Sequence, residues 1–371
     1  MIDACLGQSF NAILESPESL VMQSGHRTLG RTGVTIPPVV FGTTCLGNLF
    51  VAMPEKAKHK LVKTWMEQMP APVAIDSAGK YGAGMALEVL SRELSNLGVA
   101  TEDVVITNKL AWRRTTLKTP EPTFEPGVWI GLENDAVQDI SYDGILRCHE
   151  DGRRMLAPYR PTLISLHDPD EYLDAAQDAS DRTRRRENLI GAYRALEELR
   201  DAGEVKGVGV GAKNWRVIRE LSQDCDFDWV MMANSFTVLN HPPELIDFLD
   251  ELHRNDVGLI NSAVMHGGFL SGGEFFDYRP LDLQSDEDQH RIRWRQRFIE
   301  CCREYGVIPF NAAVQFGQSH PAIHAVALST SRPERVQGLI ESVSQTINSE
   351  FWEAMRLREL ISNHYHHGNL S

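Results

Sequence analysis

Apolar residues along this chain fall in short unbroken runs that alternate with longer stretches of helical period. Eight runs read as strands, at 38–42, 73–76, 104–109, 162–167, 205–211, 228–233, 258–262 and 325–329. Most are apolar on both faces, the pattern of a sheet covered on both sides. The clearest helix between them is 189–202. Leu189, Ala192, Tyr193, Leu196 and Leu199 share one face, Arg194, Glu197, Glu198 and Arg200 form the wet side, and Gly203 stands where a helix stops. Segments 87–97, 243–255 and 294–305 carry the same period. Strand–helix alternation predicts an α/β fold with a parallel sheet, and eight repeats favour closure into a (β/α)8 TIM barrel. No Gly-x-Gly-x-x-Gly opens a helix after the first strand, so a Rossmann arrangement loses its support.

One interval breaks the rhythm. Residues 111–139 follow the third strand and contain Trp112, Pro120, Pro122, Pro126, Gly127 and Trp129. This is too long and proline-rich for an ordinary connection, and on a barrel it leaves from the face that carries the chemistry, so it reads as a substrate-covering loop. Residues 1–25 read as an N-terminal extension, 26–350 as the barrel, and 351–371 as a C-terminal helix and tail.

The 371 residues, 42% of them hydrophobic, are enough for one large barrel core. A net charge of −14 argues against a nucleic-acid-binding face. The basic run Arg182 to Arg186 lies among Asp178, Asp181 and Glu187 and reads as a solvated face. No stretch reaches the ~20 apolar residues of a membrane span, and the first 25 residues lack the pattern of a signal peptide. The six cysteines form no C-x-x-C pair, which points to reduced thiols and a cytoplasmic protein.

Candidate chemistry sits at strand ends. Asp76 ends the second run, Tyr81 follows it, Lys109 ends the third and His167 the fourth. An acid, a phenol, an amine and an imidazole in one barrel mouth can move a proton while a cofactor moves a hydride. Free tyrosine titrates near pH ~10, too high for an efficient base at neutral pH, and a nearby ammonium stabilises the phenolate. His149-Glu150-Asp151 and His167-Asp168 invite a metal reading, but no H-x-H pair stands at the first strand, so no metal is expected. His364, His366 and His367 lie in the tail and are read as functionally silent.

With these residues in place, the chain resembles the aldo-keto reductase superfamily, in the branch of D-threo-aldose, L-fucose and D-galactose dehydrogenases. The resemblance rests on RTLGRTGVTIPPVVFGTTCLG (27–47), AIDSAGKYGAG (74–84), VVITNKL (104–110), ISYDGILRCHEDG (140–152), LISLHDPDEY (163–172), GAYRALEELRDAGEVKGVGVG (191–211) and ANSFTVLNHP (233–242). It implies that Tyr81 is the acid/base, that Lys109 and Asp76 tune it, and that His167 orients the substrate, with Trp112 and Trp129 shaping the substrate pocket. It implies an NAD or NADP cofactor held by Gly42, Thr43, Thr44, Asp76, Gly211, Asn234, Ser329 and Arg335. Gly211 and Ala212 stand where many relatives carry Ser-Asn against the carboxamide, with Asn214 displaced, and Phe236 falls where relatives place an aromatic. Ser329 stands where many NADP-users carry Lys, and Leu339 where they carry Asn. These losses slightly favour NAD, while Arg332 and Arg335 remain for a 2′-phosphate, so the cofactor is NAD or NADP.

The implied activity is oxidation of the anomeric hydroxyl of an aldose to the lactone, with a small sugar or carbonyl compound as substrate and no nucleic acid or membrane as partner. A general aldehyde, ketone or pyridoxal-type reductase or dehydrogenase is the alternative. A nicotinamide-binding regulatory barrel is the non-enzyme alternative.

Overall fold

The structure, a computed structural model, describes residues 25–277, 279–363 and 365. All but the last residue of the expected extension lies outside the described residues, as do Cys5, His364, His366 and His367. Eight parallel strands close into a barrel: β1 (Val39–Gly42), β2 (Val73–Ala78), β3 (Val104–Leu110), β4 (Leu163–His167), β5 (Gly207–Ala212), β6 (Trp229–Ala233), β7 (Gly258–Ser262) and β8 (Ile323–Leu328). Each pairs with its neighbour in sequence, and β8 pairs with β1 to shut the ring. Every residue of β2, β3, β4 and β5 is buried, which is why these strands read as unbroken runs and not as alternations.

Inside the barrel, alternate residues Val40, Ala74, Val105, Leu163, Trp229, Met231, Ile260 and Ala325 fill the lower part. A short hairpin, Arg27–Thr28 against Thr35–Ile36, plugs that end with Leu29, Val34 and Ile36. Arg31 pins it by an Nε bond of 3.0 Å to Asp228 Oδ1. Each fully buried Leu or Ile contributes ~1.5–3 kcal/mol. With the floor sealed, the C-terminal strand ends form the mouth.

Two helices begin earlier than their apolar period suggests. Ala179–Asp201 takes in the basic run, because Asp178 caps its start, accepting from Asp181 N, and ion pairs of Arg182 with Glu220 and Arg185 with Asp181 support turns that bury little. Asp286–Glu304 is likewise capped by Ser285, with acidic residues in its first turn. The insertion after β3 is more ordered than a loop. Trp112–Thr116 and Asn134–Gln138 pair as an antiparallel ribbon. Its tip folds onto Phe124, Trp129 and Leu132, and hydrogen bonds from Phe50 N to Val128 O (2.7 Å) and Ile130 N to Asn48 O (3.1 Å) tie it to the chain after β1.

After helix Ser349–Leu357 the chain returns to the barrel, where Tyr365 packs on Phe236 and Phe316. Phe236 is fully buried in this aromatic cluster and has a core role. His241 joins it, its Nδ1 donating to Thr237 O (3.0 Å) and its Nε2 accepting from Ser362 N (2.9 Å). The bond accepted at Nε2 requires the neutral ring, and burial, outweighing the bond to Thr237 O, pushes its pKa down to about 4. The unfolded ring titrates near ~6.5, so between these values only the unfolded chain takes up the proton, and stability falls as pH drops through that window. Thermal unfolding followed from pH 7 to pH 4 is expected to lose up to ~3 kcal/mol through this group. A midpoint independent of pH over that range would contradict the assignment.

Candidate active site

Strand register assembles the mouth. Asp76 lies beside Thr107, and Ala78 beside Lys109. Lys109 in turn lies beside Ser165, and His167 beside Gly211. Because side chains alternate along a strand, Asp76, Thr107, Lys109, Ser165, His167 and Gly211 all face the barrel interior. Lys109 Nζ stands 2.7 Å from Asp76 Oδ1, and Thr107 Oγ1 donates to the same oxygen at 2.7 Å. Both charged groups are buried. A side chain at Gly211 would run into this lysine, since a Cβ there would sit 2.9 Å from Lys109 Cδ. Gly211, expected to border the cofactor, therefore also clears the path of Lys109.

Tyr81 stands just past β2, in a turn that presses against the segment after β1. A Cβ on Gly82 would lie 2.5 Å from Gly47 O, so the two backbones meet at van der Waals distance and fix the turn. Lys109 Nζ is 4.8 Å from the centre of the Tyr81 ring. The ring meets His167 edge-on, with centroids 5.8 Å apart, and Trp129 at 5.9 Å. The four residues singled out at strand ends thus share one site. Burial first, then the Lys109 and Lys80 ammoniums, hold the His167 pKa well below the ordinary histidine value. The imidazole is neutral at neutral pH and keeps one N–H to donate.

Sequence reasoning passed over Lys80. Its ammonium is buried against Glu125 Oε1 (2.8 Å), Asp168 Oδ2 (3.0 Å) and Glu171 Oε2 (3.1 Å), and lies 5.0 Å from the centre of the Trp112 ring. Burial alone would lower its pKa, but Asp168, Glu125 and Glu171 outweigh that and raise it above the ordinary lysine value. Its partners lie 45, 88 and 91 positions away, beyond any local pattern. Thr107 was legible, two residues before Lys109 on the same strand face.

The expected cofactor residues occupy two places. Thr43 Oγ1 is spent on Asp76 O and Ser77 Oγ (2.9 Å each), tying β1 to β2. Thr44 opens the short helical turn Thr44–Gly47 beside it. Ser329 Oγ donates to Gly42 O (3.1 Å), which brings the first and last strand ends together. Arg332 and Arg335 are exposed, and neither is ion-paired among the described residues. Asn214 caps helix Trp215–Leu221, its Oδ1 accepting from Arg216 N. Asn234 follows β6 in a left-handed conformation (φ 56°), and its buried Oδ1 has no hydrogen-bond partner. The buried Ser165 Oγ and His167 Nδ1 are likewise unpartnered. A nicotinamide would find in the orphaned Asn234 Oδ1 an acceptor for its carboxamide N–H. Among the described residues no three His, Cys, Asp or Glu side chains converge as metal ligands.

The family model for aldo/keto reductases matches residues 38–357, and the chain belongs to the aldo/keto reductase family. It is an NAD(P)-dependent oxidoreductase, which sets aside the regulatory barrel. It is 30% identical to the pyridoxal 4-dehydrogenase of Microbacterium luteolum, over 91% of this chain and 98% of that one. It is 25% identical to the D-threo-aldose 1-dehydrogenase of a Pseudomonas species, over 92% and 99%. The fold matches an aldo-keto reductase of Bacillus halodurans in its holo form (TM-score 0.64, 17% identity, 93% of this chain and 99% of that one). It also matches a glycerol dehydrogenase of Gluconobacter oxydans (TM-score 0.66, 15% identity, 92% and 96%).

Replacing Asn234 by Gly keeps the left-handed backbone and removes the amide. We expect the NADH or NADPH dissociation constant, read by fluorescence titration, to rise by roughly 3- to 10-fold, the worth of one neutral hydrogen bond. An unchanged constant would place the carboxamide elsewhere.

Proposed function

We propose that the protein oxidises the anomeric hydroxyl of a D-threo-aldose or L-fucose-like sugar to the lactone. Tyr81 is the acid/base, and the single observation that carries the reading is the buried Asp76–Lys109 pair set beneath its ring. A cation beside a phenol favours the ionised form, which can then take the hydroxyl proton. Neutral His167 donates its N–H to the same substrate oxygen and orients it. Asp76 holds Lys109 in place. When bound, the nicotinamide supplies the hydride acceptor. Gly42, Thr43, Thr44, Gly211, Asn234, Ser329 and Arg335 border its site. The strand-end Ser329 offers no charge to a 2′-phosphate, which inclines the preference to NAD. The five described cysteines are all buried and unpaired, in keeping with a cytoplasmic enzyme.

A second reading has its own support. Pyridoxal, like an aldose, carries an aldehyde near a hydroxyl and closes to a cyclic hemiacetal whose oxidation yields a lactone. The wall made by Trp129, Phe124 and Trp112 suits a flat aromatic ring, and the relative named for pyridoxal is the more similar of the two curated relatives described above.

Initial rates with NAD or NADP against L-fucose, D-arabinose, D-galactose and pyridoxal, read as reduced-nicotinamide absorbance, decide between the two. Turnover of a sugar supports the first reading, turnover of pyridoxal alone the second, and turnover of neither removes both. With the active substrate, Tyr81→Phe is expected to lower kcat by about 10²–10⁴-fold while cofactor binding is kept. Gly211→Ala, by displacing Lys109, is expected to move the pKa seen in the kcat–pH profile up toward ~10. An unshifted profile would remove Lys109 from the tuning of Tyr81.

A further inference from the structure

Lys80 adjoins Tyr81 in sequence, yet its ammonium points away from the Asp76–Lys109 pair and gathers three carboxylates from two loops. Asp168 and Glu171 come from the segment after β4, and Glu125 comes from the tip of the insertion. The three are not equally dependent on it. Glu171 also pairs with Lys213, on the segment after β5. For Glu125, Lys80 is the one cationic partner among the described residues. Glu125 Oε2 accepts from Trp129 Nε1 (2.6 Å), and Trp129 is the ring that lies against Tyr81. A continuous path therefore runs from the β2 turn through Lys80 and Glu125 to the aromatic wall.

Glu125 holds a left-handed backbone (φ 47°), a conformation that a non-glycine residue keeps only where its surroundings impose it. If the Lys80 charge is removed, Glu125 faces Asp168 and Glu171 with nothing between them. Like-charge repulsion then drives Glu125 outward, withdrawing the acceptor of Trp129 Nε1 and loosening that indole in the wall. The backbone bonds of Val128 and Ile130, the bridge between Leu49 and Trp129, and the apolar cluster shared by Phe124, Trp129 and Tyr81 hold the Trp129 backbone, so what the Lys80 charge fixes is Glu125 and, through it, the indole N–H of Trp129.

We propose that Lys80 is a positioning residue, whose ion pair with Glu125 fastens the tip of the 111–139 insertion over the mouth and, through Glu125, sets the indole of Trp129 against Tyr81. This rests on the reading of Tyr81 as the acid/base and of Trp129 as part of the substrate wall. The substrate wall is then latched by charge.

The test uses the full chain with Lys80→Met, Lys80→Arg and Glu125→Gln. In the cofactor-free protein, Lys80→Met is expected to speed tryptic cleavage at Lys118 and to shift tryptophan emission toward that of exposed indole. In the cofactor-loaded enzyme, its KM is expected to rise about 10-fold or more while kcat stays within about 3-fold and cofactor affinity is unchanged. Lys80→Arg restores both readouts, and Glu125→Gln, which keeps an acceptor for Trp129, moves them in the same direction by less. A Lys80→Met protein with wild-type proteolysis and emission, or with KM unchanged, overturns the latch. If Lys80→Met does not fold, Glu125→Gln decides by the same criteria. If the wild-type protein turns over no substrate, the functional reading fails by itself, and proteolysis and emission still decide the latch.

Discussion

The buried pair of Asp76 and Lys109 is the interaction on which the rest of the mouth depends. Both charges lie inside the barrel, where leaving either without its partner would cost about 3–5 kcal/mol. The pair closes because β2 and β3 are in a single register, with Asp76 beside Thr107 and Ala78 beside Lys109. A one-residue slip would turn Lys109 toward the helices and leave Asp76 alone in the interior. Thr107 satisfies a further lone pair of the carboxylate, and Gly211 leaves room for the lysine stem. The ion pair and the register therefore enforce each other, and the position of Lys109 beneath Tyr81 follows from both.

Two lysines flank Tyr81, and their surroundings make them different. Lys109 is matched to one carboxylate and lies against the phenol ring. Lys80 is matched to three and lies against Trp112. Together with burial they keep His167 neutral, although Asp168 is its sequence neighbour. The Asp168 oxygen is 3.5 Å from His167 Nε2, a weak contact, and it spends its charge on Lys80 at 3.0 Å.

The barrel was legible because its strands are buried on both faces, so that apolar runs mark them within two residues of their ends. The four strand-end residues were legible because a barrel sends its strand ends to one face. What escaped had no local signal. The ribbon of the insertion begins Trp-Arg-Arg-Thr-Thr, and its charges pair with distant groups, Arg114 with Glu88 and Arg113 with Asp151. The first turns of helix Ala179–Asp201 bury little and are held by a cap and ion pairs. Lys80 looked like a turn lysine, since only folding brings Glu125, Asp168 and Glu171 around it.

The charge balance of the mouth bears on what can enter it. Lys109 is committed to Asp76, Lys80 to three carboxylates, and Lys213 to Glu171. None of these ammoniums can turn to an anionic group without abandoning a buried or half-buried partner, at a cost in desolvation that a surface lysine would not meet. The remaining wall is aromatic, with Trp129 and Phe124 nearly parallel at 6.3 Å. A pocket walled by rings and closed by satisfied ion pairs favours a compact neutral molecule with one reacting hydroxyl. Aldoses and pyridoxal in their ring-closed forms share that description.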